Sequence, residues 1–345
     1  MNPEKIPGWL LWPLTFPYGA AVRSRASLYR AGILRRQRLD GVVVSVGNLT
    51  VGGTGKTPMV LWLAERLAAE GKFAAILTRG YRGGKSGEGN TSDEAQILRA
   101  RLGDRVEVGV GADRFAHGRE LEKRGARWFV LDDGFQHMQL ARDIDIVLVD
   151  ATNPFGGRLL PAGRRREPRS ALGRADAIVI MRSSNAPAVE AAIRRDSDAP
   201  IFYARPELRE IRRLKDESMD GAGQDIDCAA VRERKLFAFC GIGNPAAFVA
   251  DLHRWSLPVA GQRFFRDHHR YAQSDMDGLV AEAQAAGADA LVCTEKDAFN
   301  LAGVRRAAME IFYCAISLCV DREEEFWATL MAIADKNKSP RGKRP

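Results

Sequence analysis

Apolar and polar positions divide the chain into short segments that switch between two periods. Residues 42–47 are a nearly unbroken β-branched run, as in a strand buried on both faces, and the stretch MVLWLAERLAAEG that soon follows has helical spacing. Further apolar runs at 74–78, 128–131, 144–149, 177–181 and 201–204 predict strands, with a short one near 107 and a helix over about 188–195. Strands and helices taking turns predict an α/β fold: a doubly wound, mainly parallel sheet with helices on both faces. Between 205 and 235 the pattern dissolves into charged residues with Gly221 and Gly223, and a weak alternation in LREIRRL marks one short strand. A second αβ pattern then begins with KLFAFCGIGNPAAFVADLHRW. Strands are expected at 259–265, 290–294 and 311–316, with Ser274 as a helix N-cap and a last helix over about 323–335. The expected organisation is an N-terminal segment (1–40), a larger α/β domain (41–205), a connection (206–235), a smaller C-terminal α/β domain (236–330) and a basic tail (331–345).

The break after residue 47 carries the chemistry. In NLTVGGTGKTP, Gly52, Gly53 and Gly55 let the backbone adopt positive φ and aim its N–H groups at phosphate oxygens, with Thr50, Val51 and Thr54 completing the loop. Lys56 is placed to reach the β/γ-phosphates and the Thr57 hydroxyl to bind Mg²⁺, while Pro58 suits the first turn of the following helix. The motif G-x-x-x-x-G-K-[ST] has glycine where this chain has Thr50, but strand, loop and helix stand in the right order. A P-loop NTPase-like domain using ATP and Mg²⁺ is the expectation.

Other polar groups sit where strands are predicted to end. The run WFVL stops at Asp132 and Asp133, the Walker B arrangement for Mg²⁺, and Gln136 and His137 are expected on the same sheet edge. Asp93 and Glu94 open a predicted helix capped by Thr91 or Ser92, where an acid can complement the helix dipole or face the phosphates. Arg79, Arg114 and the cluster Arg158, Arg164, Arg165, Arg166 and Arg169 are candidates for contact with an anionic substrate, set against an ordinary solvated charge run. Asp267, His268, His269 and Tyr271 follow a strand, as a site or a solvated loop. The turn GIGNP lacks the third glycine of a dinucleotide site, and Glu295-Lys296-Asp297 is not the N-K-x-D of guanine specificity.

Composition adds a surface and a compartment. The chain has 345 residues and a net charge of +8, with Arg23, Arg25, Arg30, Arg35, Arg36 and Arg38 uninterrupted by any acid. Before them, residues 8–22 are nearly all apolar, with Trp9, Trp12, Phe16 and Tyr18; Pro13 and Pro17 interrupt a run already short of the ~20 residues a spanning helix needs. The segment reads as an interfacial anchor on an anionic cytoplasmic leaflet, or as a helix packed on the domain. Five cysteines without a CxxC pair support neither a zinc site nor a disulfide framework. No nucleic-acid motif and no obligate protein partner is evident.

Taken in order, GNLTVGGTGKTP, TRGYRG, the SDE turn, LDDGFQH, LLPAG…REP, FRDHHRY and CTEKDA resemble the tetraacyldisaccharide 4′-kinases over roughly residues 8–330. The resemblance implies two α/β domains and ATP-dependent phosphorylation of the 4′-hydroxyl of a tetraacyldisaccharide 1-phosphate in lipid A biosynthesis. It places the protein peripherally on the cytoplasmic face of the inner membrane. By the same resemblance Lys56 is the phosphate lysine, and Asp93 matches the carboxylate that works with a histidine to activate the sugar hydroxyl. His268 is the candidate histidine, with His269 adjacent. Glu94 joins Thr57, Asp132 and Asp133 as a metal partner, and Arg166 joins Arg79, Arg114, Gln136 and His137 as substrate contacts. This chain departs from LPAG-x-L-REP by reading RRR before Glu167, which leaves Arg164 and Arg165 open. The rival reading is a P-loop ATPase of the partition or metallochaperone type, whose signature lysine would fall at Val51.

Overall fold

The computed structural model describes residues 11–80, 93–214, 224–301, 304 and 309–338. They pack as two units: one takes the described residues of Met1–Arg79, Asp104–Arg205 and Cys319–Pro345, the other those of Gly80–Gly103 and Pro206–Leu318. Boundaries drawn along the sequence group 80–103 and 319–330 differently.

The first unit begins with helix α1 (Trp12–Arg30), strand β1 (Val42–Asn48), helix α2 (Lys56–Ala69) and strand β2 (Ala74–Thr78). Helix α3 (Asp93–Leu102) belongs to the second unit, after which the first resumes with β3 (Glu107–Val110), α4 (Arg114–Lys123), β4 (Trp128–Asp132), β5 (Ile144–Asp150), β6 (Ala177–Met181), α5 (Pro187–Ile193) and the start of β7 (Ile201–Arg213). Its strands run parallel in the order β3-β2-β4-β1-β5-β6-β7. All residues of β1, β2, β4, β5 and β6 are buried, which is why their sequences show no alternation. β1 lies between β4 and β5, with Val46 opposite Asp132, so the loop that leaves β1 opens beside the acids ending β4.

The second unit continues from β7 into β8 (Gln224–Ile226), α6 (Cys228–Arg232), β9 (Leu236–Cys240), α7 (Pro245–Arg254), β10 (Val259–Phe264), α8 (Gln273–Ala285), β11 (Ala290–Thr294), α9 (Glu295–Asn300) and most of β12 (Glu310–Val320). Strands β10-β9-β11-β12 are parallel in that order, and β8 pairs antiparallel with the far end of β7. Phe239, Tyr271, Leu279, Leu291 and Tyr313 form the heart of one of its cores. Helix α10 (Glu323–Lys338) returns to the first unit.

Four local expectations change. The alternation in LREIRRL is no separate strand: β7 runs unbroken to Arg213 because Ile211 is buried opposite Ile226. β12 likewise extends to Val320. Proline does not interrupt α1: Pro13 falls in the first turn, where no N–H is needed, and the helix continues through Pro17. The N-cap of α8 is Ala272 and not Ser274, with the Asp275 carboxylate accepting from the Ala272 N–H at 2.9 Å. Thr91 and Ser92 lie outside the described residues.

Helix α10 packs Phe326 against Trp62 and Phe202, with ring centroids 5.4 and 4.8 Å away, and Phe326 is fully buried. Phe326→Ala is expected to lower stability by about 3–5 kcal/mol, measured by urea denaturation. A loss near zero would show that α10 contributes nothing to the unit.

Candidate active site

Asn48, the last residue of the wholly buried strand β1, organises the loop beyond it. Its Nδ2 donates to Thr50 Oγ1 at 3.2 Å, while its Oδ1 accepts from Lys56 Nζ at 3.5 Å and from Arg166. Gly52 and Gly55 have φ of +118° and +85°, the left-handed region in which a side chain would be strained. Gly55 is also the N-cap of α2, so no cap side chain takes up the N–H groups of that first turn, which stay open to an anion. Thr54 Oγ1 is buried without a hydrogen-bond partner, a placement suited to a phosphate oxygen.

The acids after β4 complete this end of the sheet. Arg166 Nη1 and Nη2 donate to Asp133 Oδ2 and Oδ1, each at 2.7 Å, and Lys56 Nζ stands 3.7 Å from Asp133 Oδ1. Burial works to raise the Asp133 pKa, but the Arg166 hydrogen bonds and the charges of Lys56, Arg166 and Arg114 outweigh it and hold it to about 2. Asp133 is therefore a carboxylate at any physiological pH. Asp132 is buried, with Oδ2 3.4 Å from Thr78 Oγ1. Arg114 is buried too: Nη2 donates to the Asp132 carbonyl at 2.8 Å and Nη1 to that of Asp133 at 3.4 Å, so it fixes the turn carrying both acids. Gln136 Nε2 donates to the Asn48 carbonyl and to Glu167 Oε1, both at 3.0 Å, and Arg174 holds Glu167 from the other side. At His137, burial and then the charges of Arg114, Arg142 and Arg25 push the pKa down to about 4, leaving a neutral imidazole. Arg79 is exposed just beyond β2.

The arginine loop docks directly on the phosphate loop. Val51 N–H donates to the Arg164 carbonyl at 2.7 Å, Arg166 N–H to that of Leu49 at 2.7 Å, and Thr50 bridges Arg165. Arg164 Nε donates to the Val51 carbonyl at 3.1 Å, and its guanidinium lies where a Cβ on Gly52 would come within 2.1 Å. Tyr18 of α1 donates to the Arg166 carbonyl at 2.9 Å. Neither Asn48 nor Glu167 stands out in the sequence as a site residue; an asparagine closing a mostly apolar strand just before the glycines is the signal it offers.

A second cluster belongs to the other unit. Lys296 Nζ lies 3.1 Å from Asp267 Oδ1, 3.2 Å from His268 Nε2 and 3.6 Å from Glu94 Oε1. His268 Nε2 is 3.7 Å from Glu94. His269 faces elsewhere: its Nε2 pairs with Asp275 Oδ2 at 2.9 Å and its ring stacks on Phe265 at 4.6 Å. Asp93 opens α3, but its side chain lies outside the described residues.

A glycine-rich loop leaving a central parallel strand, with a lysine beside a carboxylate that stays ionised, is the working end of a P-loop phosphotransferase. Whole-chain comparison narrows the class. Residues 7–335 match the family model described as tetraacyldisaccharide-1-P 4′-kinase, and the chain belongs to that family. Among its relatives, the tetraacyldisaccharide 4′-kinase of Geobacter metallireducens is 39% identical over 324 residues, 89% of this chain and 92% of that protein. That of Anaeromyxobacter sp. (strain K) is 40% identical over 313 residues, 85% and 81% of the two chains. A similar solved structure is the "apo" form of LpxK from Aquifex aeolicus in complex with ATP, with a TM-score of 0.71 and 29% identity over 94% of this chain and 99% of that one.

The depressed His137 pKa has a signed consequence. Its folded value of about 4 lies below the ordinary 6.5, so the neutral ring favours the folded state fully above pH 6.5, and this is lost as pH falls towards 4. His137→Gln is expected to flatten the stability profile between those two values, read by thermal melts across pH. An unchanged slope would contradict the burial argument.

Proposed function

We infer that this protein transfers the γ-phosphoryl group of ATP to the 4′-hydroxyl of a tetraacyldisaccharide 1-phosphate, the lipid A precursor. The family match over residues 7–335 carries this reading, and the open phosphate loop gives it a chemistry. Residues 50–57 cradle the phosphates, with Lys56 and the first turn of α2 opposing their charge and Thr54 Oγ1 gaining a partner. Thr57, Asp132 and Asp133 offer hard oxygen donors that fit Mg²⁺. No group of three or more metal-ligating side chains occurs among the described residues, and Mg²⁺ does not require one, since one or two carboxylates with phosphates and water suffice. When bound, Mg²⁺ would supply charge neutralisation at the β- and γ-phosphates. Glu94, the further metal partner implied by the resemblance, faces Lys296 and His268.

A sugar hydroxyl has a pKa far above neutrality, so its attack needs a base within reach as the O–P bond forms. Asp93 takes that role with His268 as its partner. Choosing His268 over His269 is supported by the prior engagement of His269 with Asp275 and Phe265. Within the substrate set, Arg114, Gln136 and Arg166 act chiefly by holding the acids and Asn48, while the neutral His137 ring and exposed Arg79 are the groups to meet the substrate.

Among the described residues no helix is long and apolar enough to cross a membrane. Association with the cytoplasmic face of the inner membrane through α1 is supported by Trp12, Leu14 and Phe16, which are 49%, 54% and 65% exposed. At the other end of the helix, a recess of about 530 Å³ is lined by Tyr29, Arg30, Gly32, Leu34, Arg35 and Arg36, a fitting surface for anionic headgroups.

Transfer of labelled phosphate from ATP to a tetraacyldisaccharide 1-phosphate in micelles tests the reaction, and no transfer would refute it. Asp93→Ala should lower kcat by roughly 100-fold or more with little change in ATP affinity; a loss confined to affinity would remove Asp93 as base. Replacing Trp12 and Phe16 with serine should weaken vesicle binding while sparing transfer to micellar substrate, and unchanged vesicle binding would remove α1 as the anchor.

A further inference from the structure

The Glu295-Lys296-Asp297 motif at the start of α9 has no part in the reaction as described so far, and its three side chains make three separate attachments. Glu295 accepts from Arg101 Nε and Nη2 at 2.9 and 3.0 Å, in a pair largely shielded from solvent, and Arg101 also donates to the Ile316 carbonyl at 2.8 Å. This ties α3, the helix of Asp93 and Glu94, to α9. Asp297 is fully buried and accepts from Tyr271 Oη and the Gly241 N–H at 2.8 Å each and from Thr294 Oγ1 at 2.5 Å. The Gly241 carbonyl in turn accepts from the His268 N–H at 3.1 Å, in a turn where His268 has φ of +59°. Lys296 stands between these two anchored neighbours, and its Nζ is 3.2 Å from His268 Nε2.

A lysine ammonium has only hydrogens to offer, so a hydrogen bond across this 3.2 Å contact makes His268 Nε2 the acceptor and, in a neutral ring, leaves the hydrogen on Nδ1. The carboxylates near the same nitrogen, Glu94 at 3.7 Å and Asp267 at 3.9 Å, are beyond hydrogen-bond distance and cannot claim a hydrogen there. They serve instead to hold the ammonium in place.

We propose that Lys296 is a positioning residue of this kinase, holding His268 in the Nδ1–H tautomer. The proposal rests on the reading of Asp93 and His268 as the activating pair, and it deepens that reading by assigning the proton. With Nε2 occupied by Lys296, His268 offers Nδ1–H as a donor to a carboxylate and cannot itself take the hydroxyl proton at Nε2. That proton passes to Asp93 as the new O–P bond forms and the bond from the γ-phosphorus to ADP breaks.

The test is NMR of the full chain with nitrogen-labelled histidine, at a pH where His268 is neutral, with His268→Gln to identify its signal. The wild type should show the Nδ1–H tautomer. Lys296→Met should convert it to Nε2–H and lower kcat roughly tenfold or more at unchanged KM for ATP, and Lys296→Arg, which restores a cationic donor, should recover both. An Nε2–H tautomer in the wild type overturns the proposal even if Lys296→Met fails to fold. So does Lys296→Met with wild-type tautomer and rate. Full transfer by His268→Ala would instead remove the catalytic pair, leaving the tautomer assignment to stand or fall by the spectra.

Discussion

The carboxylate of Asp133 held between Arg166 and Lys56 is the interaction on which the first unit depends. Both cations approach from chain segments remote in sequence, and each is also fastened to Asn48. The pair is only partly shielded; behind it Arg114 is buried against the carbonyls of both acids, and Glu167 is held by Arg174 and Gln136. The phosphate loop thus rests on a charge network supplied by the chain itself, in which Asn48, Lys56, Asp133 and Arg166 hold one another.

The second unit uses the same means for a different end. A fully buried carboxylate, Asp297, fixes one turn through a tyrosine, a threonine and a backbone N–H, and an arginine–glutamate pair fixes one helix. Between them is His268, whose ring lies within 4 Å of charged groups of Lys296, Glu94 and Asp267, in contrast to His269, which is stacked on an aromatic ring and paired with one acid. Two adjacent histidines of identical chemistry are distinguished only by what surrounds them.

That contrast marks the limit of what the chain discloses when read as letters. The central strands were legible because burial on both faces leaves an unmistakable β-branched run, and the phosphate loop because glycine is needed where φ is positive. The placement of Lys56 and the acids ending β4 at one end of the sheet followed from their distance to those two signals. Asn48 and Glu167 did not, because their significance lies in partners up to 118 residues away, as in the bond from Arg166 to Asn48. The continuation of β7 past residue 205 was hidden for a related reason: only Pro206 and Ile211 are buried there, with Leu208 partly packed beside Ile211, and the charged Glu207, Arg209, Glu210, Arg212 and Arg213 occupy the remaining positions.

The return of α10 to the first unit has a bearing on how the chain assembles. Trp327 Nε1 donates to Glu70, 257 residues earlier, and Arg66 meets Glu323 and Glu324 across a similar interval. A nascent chain emerging from the ribosome can form β1, its loop and α2 before α10 exists, yet the surface that α10 covers on Trp62 stays bare until residues 323–338 have been made. The strand, loop and first helix of this unit are therefore made long before the helix that completes their packing.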